Sequence, residues 1–128
     1  MISIITPVYN GDRFIEKCIN AVINQNCHDV EHIIIDGGST DRTVDIIKEY
    51  ADRSSHIRWI SEKDRGQSDA MNKGIQMAKG EIICFLNVDD FYEPNVLNQV
   101  VELFIKLPDP SFVVGNCNVL NDDDVCYR

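Results

Sequence analysis

Basic residues are scarce in this 128-residue chain: 12 Lys and Arg stand against 21 Asp and Glu, a formal charge of -9. No Lys or Arg block offers a surface to track a phosphate backbone, which dominates nucleic-acid affinity, so the balance argues against DNA or RNA as a partner. Long apolar runs are missing as well, and none approaches the roughly 18 to 20 residues that span a bilayer. The five cysteines, Cys18, Cys27, Cys84, Cys117 and Cys126, are odd in number and have no CxxC spacing, which argues against a disulfide framework or a zinc site. They read as reduced thiols, mostly in the core. His28, His32 and His56 are scattered without a metal-ligand spacing. Neither GxGxxG nor a P-loop motif is present, against a dinucleotide oxidoreductase or a P-loop NTPase. Met1 runs straight into the strand-like Ile2-Ser3-Ile4-Ile5 with no charged n-region and h-region, so the expected location is cytoplasmic.

What is present is a balanced composition, 44% hydrophobic and 26% charged, which suits one globular domain over residues 1–128. Strand and helix signals alternate. Ile2 to Val8 is an apolar, β-branched run closed by Asn10-Gly11, and Phe14, Ile15, Cys18, Ile19, Val22 and Ile23 then recur at helical spacing between about Gly11 and Asn26. His32 to Ile35 predicts a second strand, followed from Thr40 or Asp41 by a helix with Val44, Ile47 and Tyr50 inward. Ile57 to Ile60 predicts a third strand, and Asp69 to Lys79 a helix stopped by Gly80 as its C′ residue. Glu81 to Leu86 predicts a fourth strand. A helix opening near Pro94 would turn Leu97, Val100, Val101, Phe104 and Ile105 inward, and Ser111 to Leu120 reads as a last strand. After the Asn121-Asp122-Asp123-Asp124 turn, Val125 to Arg128 reads as the start of a strand, as if the fold were truncated within a hairpin at its C-terminus. Helical crossovers between strands imply an α/β, Rossmann-like layered fold with a mainly parallel central sheet.

The fourth strand breaks into Asn87-Val88-Asp89-Asp90, placing two carboxylates where ligands bind in open α/β sheets. Hard cations such as Mg²⁺ or Mn²⁺ take such carboxylates together with phosphate oxygens, and an acidic chain needs a cation to hold a diphosphate. An Asp pair also suits a solvated turn before a helix. The other strand ends carry Thr6-Pro7-Val8-Tyr9-Asn10, Asp36-Gly37-Gly38-Ser39-Thr40-Asp41 and Asp64-Arg65-Gly66, each also explicable as turn and cap chemistry. Gly37-Gly38 additionally permits close backbone approach to a ligand.

These segments, with Gln67-Ser68-Asp69-Ala70-Met71-Asn72-Lys73-Gly74 after Gly66, in this order and spacing, resemble the family 2 glycosyltransferases of the GT-A fold. The resemblance spans residues 6 to 90. It implies that Thr6, Pro7, Val8, Tyr9 and Asp36 help hold the base and ribose and that Asp64 lies at the nucleotide pocket. It further implies that Asp89 faces the ribose or sugar phosphate and that Asp90, with Asp89, ligates the metal, Mg or Mn. Many members carry a second Asp where this chain has Gly37, which leaves the donor base open. The family's catalytic base lies well after the Asp pair, so it is expected beyond residue 128.

The implied activity is inverting, metal-assisted sugar transfer from a nucleoside diphosphate sugar to an acceptor hydroxyl on a glycan or lipid-linked acceptor, in cell-surface polysaccharide or glycan assembly. Homo-oligomers and peripheral membrane association at the inner face belong to the same expectation. Two other classes stay open: a sugar-phosphate nucleotidyltransferase, which would want a Gly-rich basic loop after the first strand, and a non-catalytic nucleotide-binding module. Donor turnover separates the last from the first.

Overall fold

The computed structural model describes residues 1–109, 111–121, 123–124 and 126–127. In chain order these form β1 (Ile2–Val8), α1 (Ile15–Ile23), β2 (Val30–Asp36), α2 (Thr43–Arg53), β3 (Ile57–Ser61), α3 (Gln67–Met77), β4 (Ile82–Phe85), α4 (Val96–Lys106), β5 (Val119–Leu120) and β6 (Cys126–Tyr127). The first four strands make one parallel sheet in the order β3-β2-β1-β4, and β5 and β6 pair antiparallel. Every residue of β1 is buried, as expected of a central parallel strand covered on both faces.

Alternation along β1 and β2 divides the core. Ile2 and Ile4 pack with Cys18, Val22, Leu86 and Leu97 beneath α1 and α4, and Val8 and Ile34 pack with Ile15, Ile19, Ile47 and Ile57 beneath α1 and α2. Ile5, Ile33 and Ile35 point the other way, against Ala70 of α3. The result is three layers. The strand order reverses direction between β1 and β4, and in such sheets the crevice at the carboxyl ends of the strands beside the reversal receives the ligand.

Two clusters of buried polar side chains are built into the sheet. Glu31, 5% exposed, accepts hydrogen bonds from Ser3 Oγ at 2.6 Å, the Lys79 N–H at 2.6 Å and Arg58 Nη1 at 2.8 Å. Burial alone would raise its carboxyl pKa, but these donors outweigh burial and hold it below the ordinary range. Thr6 Oγ1 and His32 Nε2 share a hydrogen bond at 2.9 Å in the centre of the sheet.

Several sequence expectations change. The first helix begins at Ile15 and ends at Ile23, shorter than Gly11 to Asn26, because the chain after β1 is first spent on a turn in which Gly11 O accepts the Phe14 and Ile15 N–H groups. Gly80 is not the C′ residue of α3, whose C-cap is Ala78; a Cβ on Gly80 would stand 2.7 Å from Met1 O and Ser3 N, so close strand passage demands glycine there. Of the expected inward residues of α4, Leu97 is buried whereas Ile105 is 77% exposed. Between Ser111 and Leu120 only Val119 and Leu120 are strand; residues 111–118 make no ladder, and Phe112 and Val114 face solvent. The expected continuation at Val125 to Arg128 pairs at Cys126–Tyr127 with β5, while Val125 and Arg128 lie outside the described residues. Cys18, Cys27, Cys84 and Cys117 are free; Cys18 is buried in the core and Cys27 and Cys84 pack against it, whereas Cys117 is exposed.

Candidate functional site

A cavity of about 720 Å³ opens at the carboxyl ends of the strands. Pro7, Val8 and Tyr9 line it from the end of β1, Gly37 and Gly38 from beyond β2, and Lys63 and Asp64 from beyond β3. Gly66, Gln67 and Ala70 add the N-terminal end of α3, and Asn87, Val88 and Asp89 complete it after β4. The volume falls within the roughly 300 to 1,000 Å³ of small-molecule sites.

The walls are fixed by side chains that tie one loop to the next. Asn10 N–H donates to Ser39 Oγ at 2.8 Å, and Asn10 Oδ1 accepts the Thr40 N–H at 2.9 Å. The Gly11 N–H donates to Thr43 Oγ1 at 2.9 Å, and the Asp12 N–H to Asp41 Oδ2 at 3.2 Å. Helix α2 starts at Thr43, later than the Thr40 or Asp41 expected, and its N-cap Arg42 makes no side-chain cap bond; Asp41, one residue outside the cap, accepts the Thr43 N–H on Oδ1 at 2.9 Å. The loops after β1 and β2 therefore behave as one wall.

The structure brings together Pro7, Val8, Tyr9, Asp64 and Asp89 of the sequence-predicted residues. Thr6, Asp36 and Asp90 are placed elsewhere. Thr6 is fully buried one residue below the lining and bonded to His32. Asp36 is fully buried behind the glycines: its Oδ2 accepts the Gly38 and Ser39 N–H groups, each at 3.0 Å, and Ser61 Oγ at 2.7 Å, while Oδ1 accepts Ser39 Oγ. Asp90 follows the lining residue Asp89, is exposed, and accepts a hydrogen bond from Asn87 Nδ2 at 3.0 Å. Gln67 Nε2 donates to Asn87 Oδ1 at 2.6 Å, linking the start of α3 to the loop after β4. Residues without an assigned role in the sequence reading, Lys63 and Gln67 above all, enter the lining. Their signal was adjacency, since Lys63 precedes Asp64 and Gln67 follows Gly66 at the same strand end.

Asp89 and Asp90 are adjacent and exposed, and offer only oxygen donors. That set suits a hard cation whose remaining ligands are phosphate oxygens and water. Among the described residues no group of three or more His, Cys, Asp or Glu is arranged to hold a metal.

A parallel sheet between helical layers with a ligand crevice at its carboxyl edge places the chain among GT-A α/β proteins. The sequence matches Glycosyl transferase family 2 over residues 3–127, and the chain belongs to that family. An uncharacterised glycosyltransferase of Nostoc sp., alr2836, is 34% identical over 124 residues, which are 96% of this chain and 38% of that protein's length. The mannosyltransferase PcManGT from Pyrobaculum calidifontis, solved with GDP-Man and Mn²⁺, superposes with a TM-score of 0.73 at 24% identity, covering 85% of this chain and 32% of that one. S. aureus TarS, solved with UDP-GlcNAc, gives a TM-score of 0.70 at 24% identity over 82% of this chain and 31% of that one. The chain thus spans well under half the length of these relatives. Among the described residues no helix is long and apolar enough to cross a membrane.

Proposed function

We propose that this chain is the donor-binding part of a glycosyltransferase and takes a nucleoside diphosphate sugar in the cavity beside β1 and β4. The observation that carries this reading is the convergence of four strand ends on one cavity, with Asp89 in its lining and the exposed Asp90 next to it in sequence. Relatives solved with GDP-Man and Mn²⁺ and with UDP-GlcNAc support the donor class and the cation.

Pro7, Val8 and Tyr9 give the nucleoside an apolar wall, and Gly37 and Gly38 let it lie against backbone. Asp36 and Thr6 act from behind this surface. Asp36 holds the Gly38-Ser39 turn through its three bonds there, and Thr6 fixes the strand that ends in the wall. Asp89 would face the ribose or sugar phosphate, and Asp90 with Asp89 would hold Mg²⁺ or Mn²⁺. When bound there with the diphosphate, the cation supplies Lewis-acid neutralisation of the leaving group's growing charge. Transfer to an acceptor hydroxyl of a glycan or lipid-linked acceptor proceeds with inversion, which needs a base on the opposite face of the sugar. The carboxylates lining the cavity among the described residues, Asp64 and Asp89, both have donor-side roles, so neither is assigned as that base. A cytoplasmic setting and a part in surface glycan assembly complete the reading, on the motif resemblance.

Calorimetric titration of nucleoside diphosphates with Mn²⁺ and with EDTA tests it. Binding that needs Mn²⁺ is expected. Equal affinity in EDTA removes the cation from the site, and failure of every nucleotide to bind removes the donor reading.

A further inference from the structure

The two edges of the sheet differ in character. β3 exposes no large apolar side chain, whereas β4, which pairs in the sheet with β1 alone, carries Ile83 at 37% and Phe85 at 47% exposure. In the register these two stand beside Ser3 and Ile5, on the face toward α3. Helix α3 packs over Ile5, Ile33 and Ile35 and leaves them uncovered. Ile82 and Cys84 point the opposite way, into the cluster beneath α1 and α4.

The main chain of β4 is open at the same two residues. The Ile82 N–H donates to Met1 O at 3.3 Å and the Leu86 N–H to Ile5 O at 3.0 Å. Backbone groups alternate sides along a strand, so residues 82, 84 and 86 face β1, and the N–H and C=O of Ile83 and Phe85 face outward. An apolar edge with neither Lys nor Pro among its 4 residues is a template for a further strand.

We propose that this edge docks a second copy of the chain, β4 against β4, antiparallel about a twofold axis through Cys84. Residues on the same face must meet across such a pair, which permits a centre on Ile83, Cys84 or Phe85. A centre on Ile83 sets Phe85 against Glu81, and a centre on Phe85 sets Ile83 against Asn87. Only the centre on Cys84 gives both apolar residues an apolar partner, Ile83 of each copy opposite Phe85 of the other. These are also the residues whose outward N–H and C=O groups then bond to each other, and an aromatic side chain opposite a β-branched one is a favourable cross-strand pair.

The ends of β4 are complementary in charge. Lys79, before the strand, is exposed, and its ammonium has no partner among the described residues. Glu81 at that end lies near the Met1 ammonium, which also pairs with Asp29 at 2.9 Å. Asp89 and Asp90, after the strand, are exposed and pair with no cation among the described residues. An antiparallel copy sets the Lys79 end of each β4 beside the Asp89-Asp90 end of the other, twice over, whereas a parallel copy would set like charges together.

The test is sedimentation equilibrium of the 128-residue chain over a concentration series, with residue-resolved amide exchange at its two extremes. The mass should rise from 14.6 kDa toward twice that value. The amides of Ile83 and Phe85 should gain protection with concentration, while those of Ile82 and Cys84 stay protected throughout. Ile83→Lys and Phe85→Lys should each weaken association about tenfold or more, with circular dichroism unchanged, because a charge on an edge strand opposes pairing. Lys79→Glu should weaken it several-fold, and Lys48→Glu, the same change at an exposed position of α2, should not. A mass of 14.6 kDa at every concentration overturns the proposal. So does a dimer in which the Ile83 and Phe85 amides exchange freely, or one that Ile105→Lys on α4 dissociates and Ile83→Lys does not. Equal weakening by Lys79→Glu and Lys48→Glu overturns the antiparallel arrangement.

Discussion

Asn87 holds Asp90 from two sides: its Nδ2 donates to Asp90 Oδ2 at 3.0 Å, and its backbone carbonyl accepts the Asp90 N–H at 3.0 Å. Because Asn87 Oδ1 also accepts Gln67 Nε2, the exposed carboxylate is aimed by a chain that starts in α3. Asp90→Asn should abolish the Mn²⁺-dependent part of nucleoside diphosphate affinity. The melting temperature should move by no more than the equivalent of about 0.5 kcal/mol, the usual limit for a surface change. Calorimetry paired with thermal unfolding checks both. A large loss of stability without ligand would instead make Asp90 a structural turn residue.

Removal of the aiming group should be milder. Asn87→Ala leaves both carboxylates in place but frees Asp90 to rotate, so Mn²⁺-dependent affinity should fall a few-fold and not vanish. A loss as deep as that of Asp90→Asn would mean that Asn87 contacts the ligand itself.

Helix α3 sits on the sheet through Gly74, where a Cβ would stand 2.3 Å from Ile5 Cγ2 and 3.2 Å from its Cγ1. Ile5 is fully buried in the central strand and cannot swing aside without disturbing Ile33, Ile35 and Ala70. Gly74→Ala should therefore destabilise by about 1 to 3 kcal/mol, overpacking outweighing alanine's better helix propensity. Urea unfolding decides it, and an unchanged or raised midpoint would show that α3 can lift at no cost.

The parallel sheet and the strand ends were legible in the sequence because β1 and β2 are rich in β-branched residues and the loops after them carry Gly, Asn and Asp. β1 came out at Ile2–Val8, as the residues predict. What stayed hidden depends on partners distant in sequence. Gln25, 3% exposed, accepts the Leu97 N–H on Oε1 at 3.1 Å and so caps α4 in place of its own Asn95, a contact across 72 residues with no local signature. Asp36 carried the right residue type for a nucleotide contact, but its orientation is set by Ser39 and Ser61, and only the β2–β3 register makes Ser61 its neighbour. Residues 111–118 have strand-like composition and no strand to pair with among the described residues, and composition alone does not close a ladder.

Glu31 joins β1, β3 and the segment after α3 through Ser3, Arg58 and Lys79. Glu31→Gln keeps the size but sets an amide donor against either Arg58 or the Ser3–Lys79 donor pair. The cost should be about 2 to 4 kcal/mol, in the range for breaking a buried, hydrogen-bonded charge, reduced because Arg58 is partly exposed. Its depressed carboxyl pKa adds stability that is present above the unfolded value of about 4.3 and is lost as pH falls through the folded one. Denaturant unfolding of the variant at pH 7 and pH 4 should show the difference from the unsubstituted protein shrinking in acid; a constant difference would place the loss in packing.

His32 titrates with the opposite chemistry and the same sign. Burial first, and then the neighbouring His56, push its pKa down to about 3, and His32 Nδ1 has no hydrogen-bond partner among the described residues. Between the unfolded value of 6.5 and that depressed value, the unfolded chain binds a proton that the folded chain refuses. Stability is therefore complete above pH 6.5 and falls as the solution is acidified, by about 1.4 kcal/mol per pH unit once well below 6.5. His56, also lowered by burial, adds in the same direction, and the carboxylates join only nearer pH 4. His32→Gln replaces the ring with an amide that still reaches for Thr6 and does not titrate. Urea unfolding at pH 7, 6 and 5 should show the unsubstituted chain losing about 2 kcal/mol more than the variant over that range. Equal losses would mean that His32 takes up its proton in the folded state, with the sheet opening locally around Thr6 to admit water.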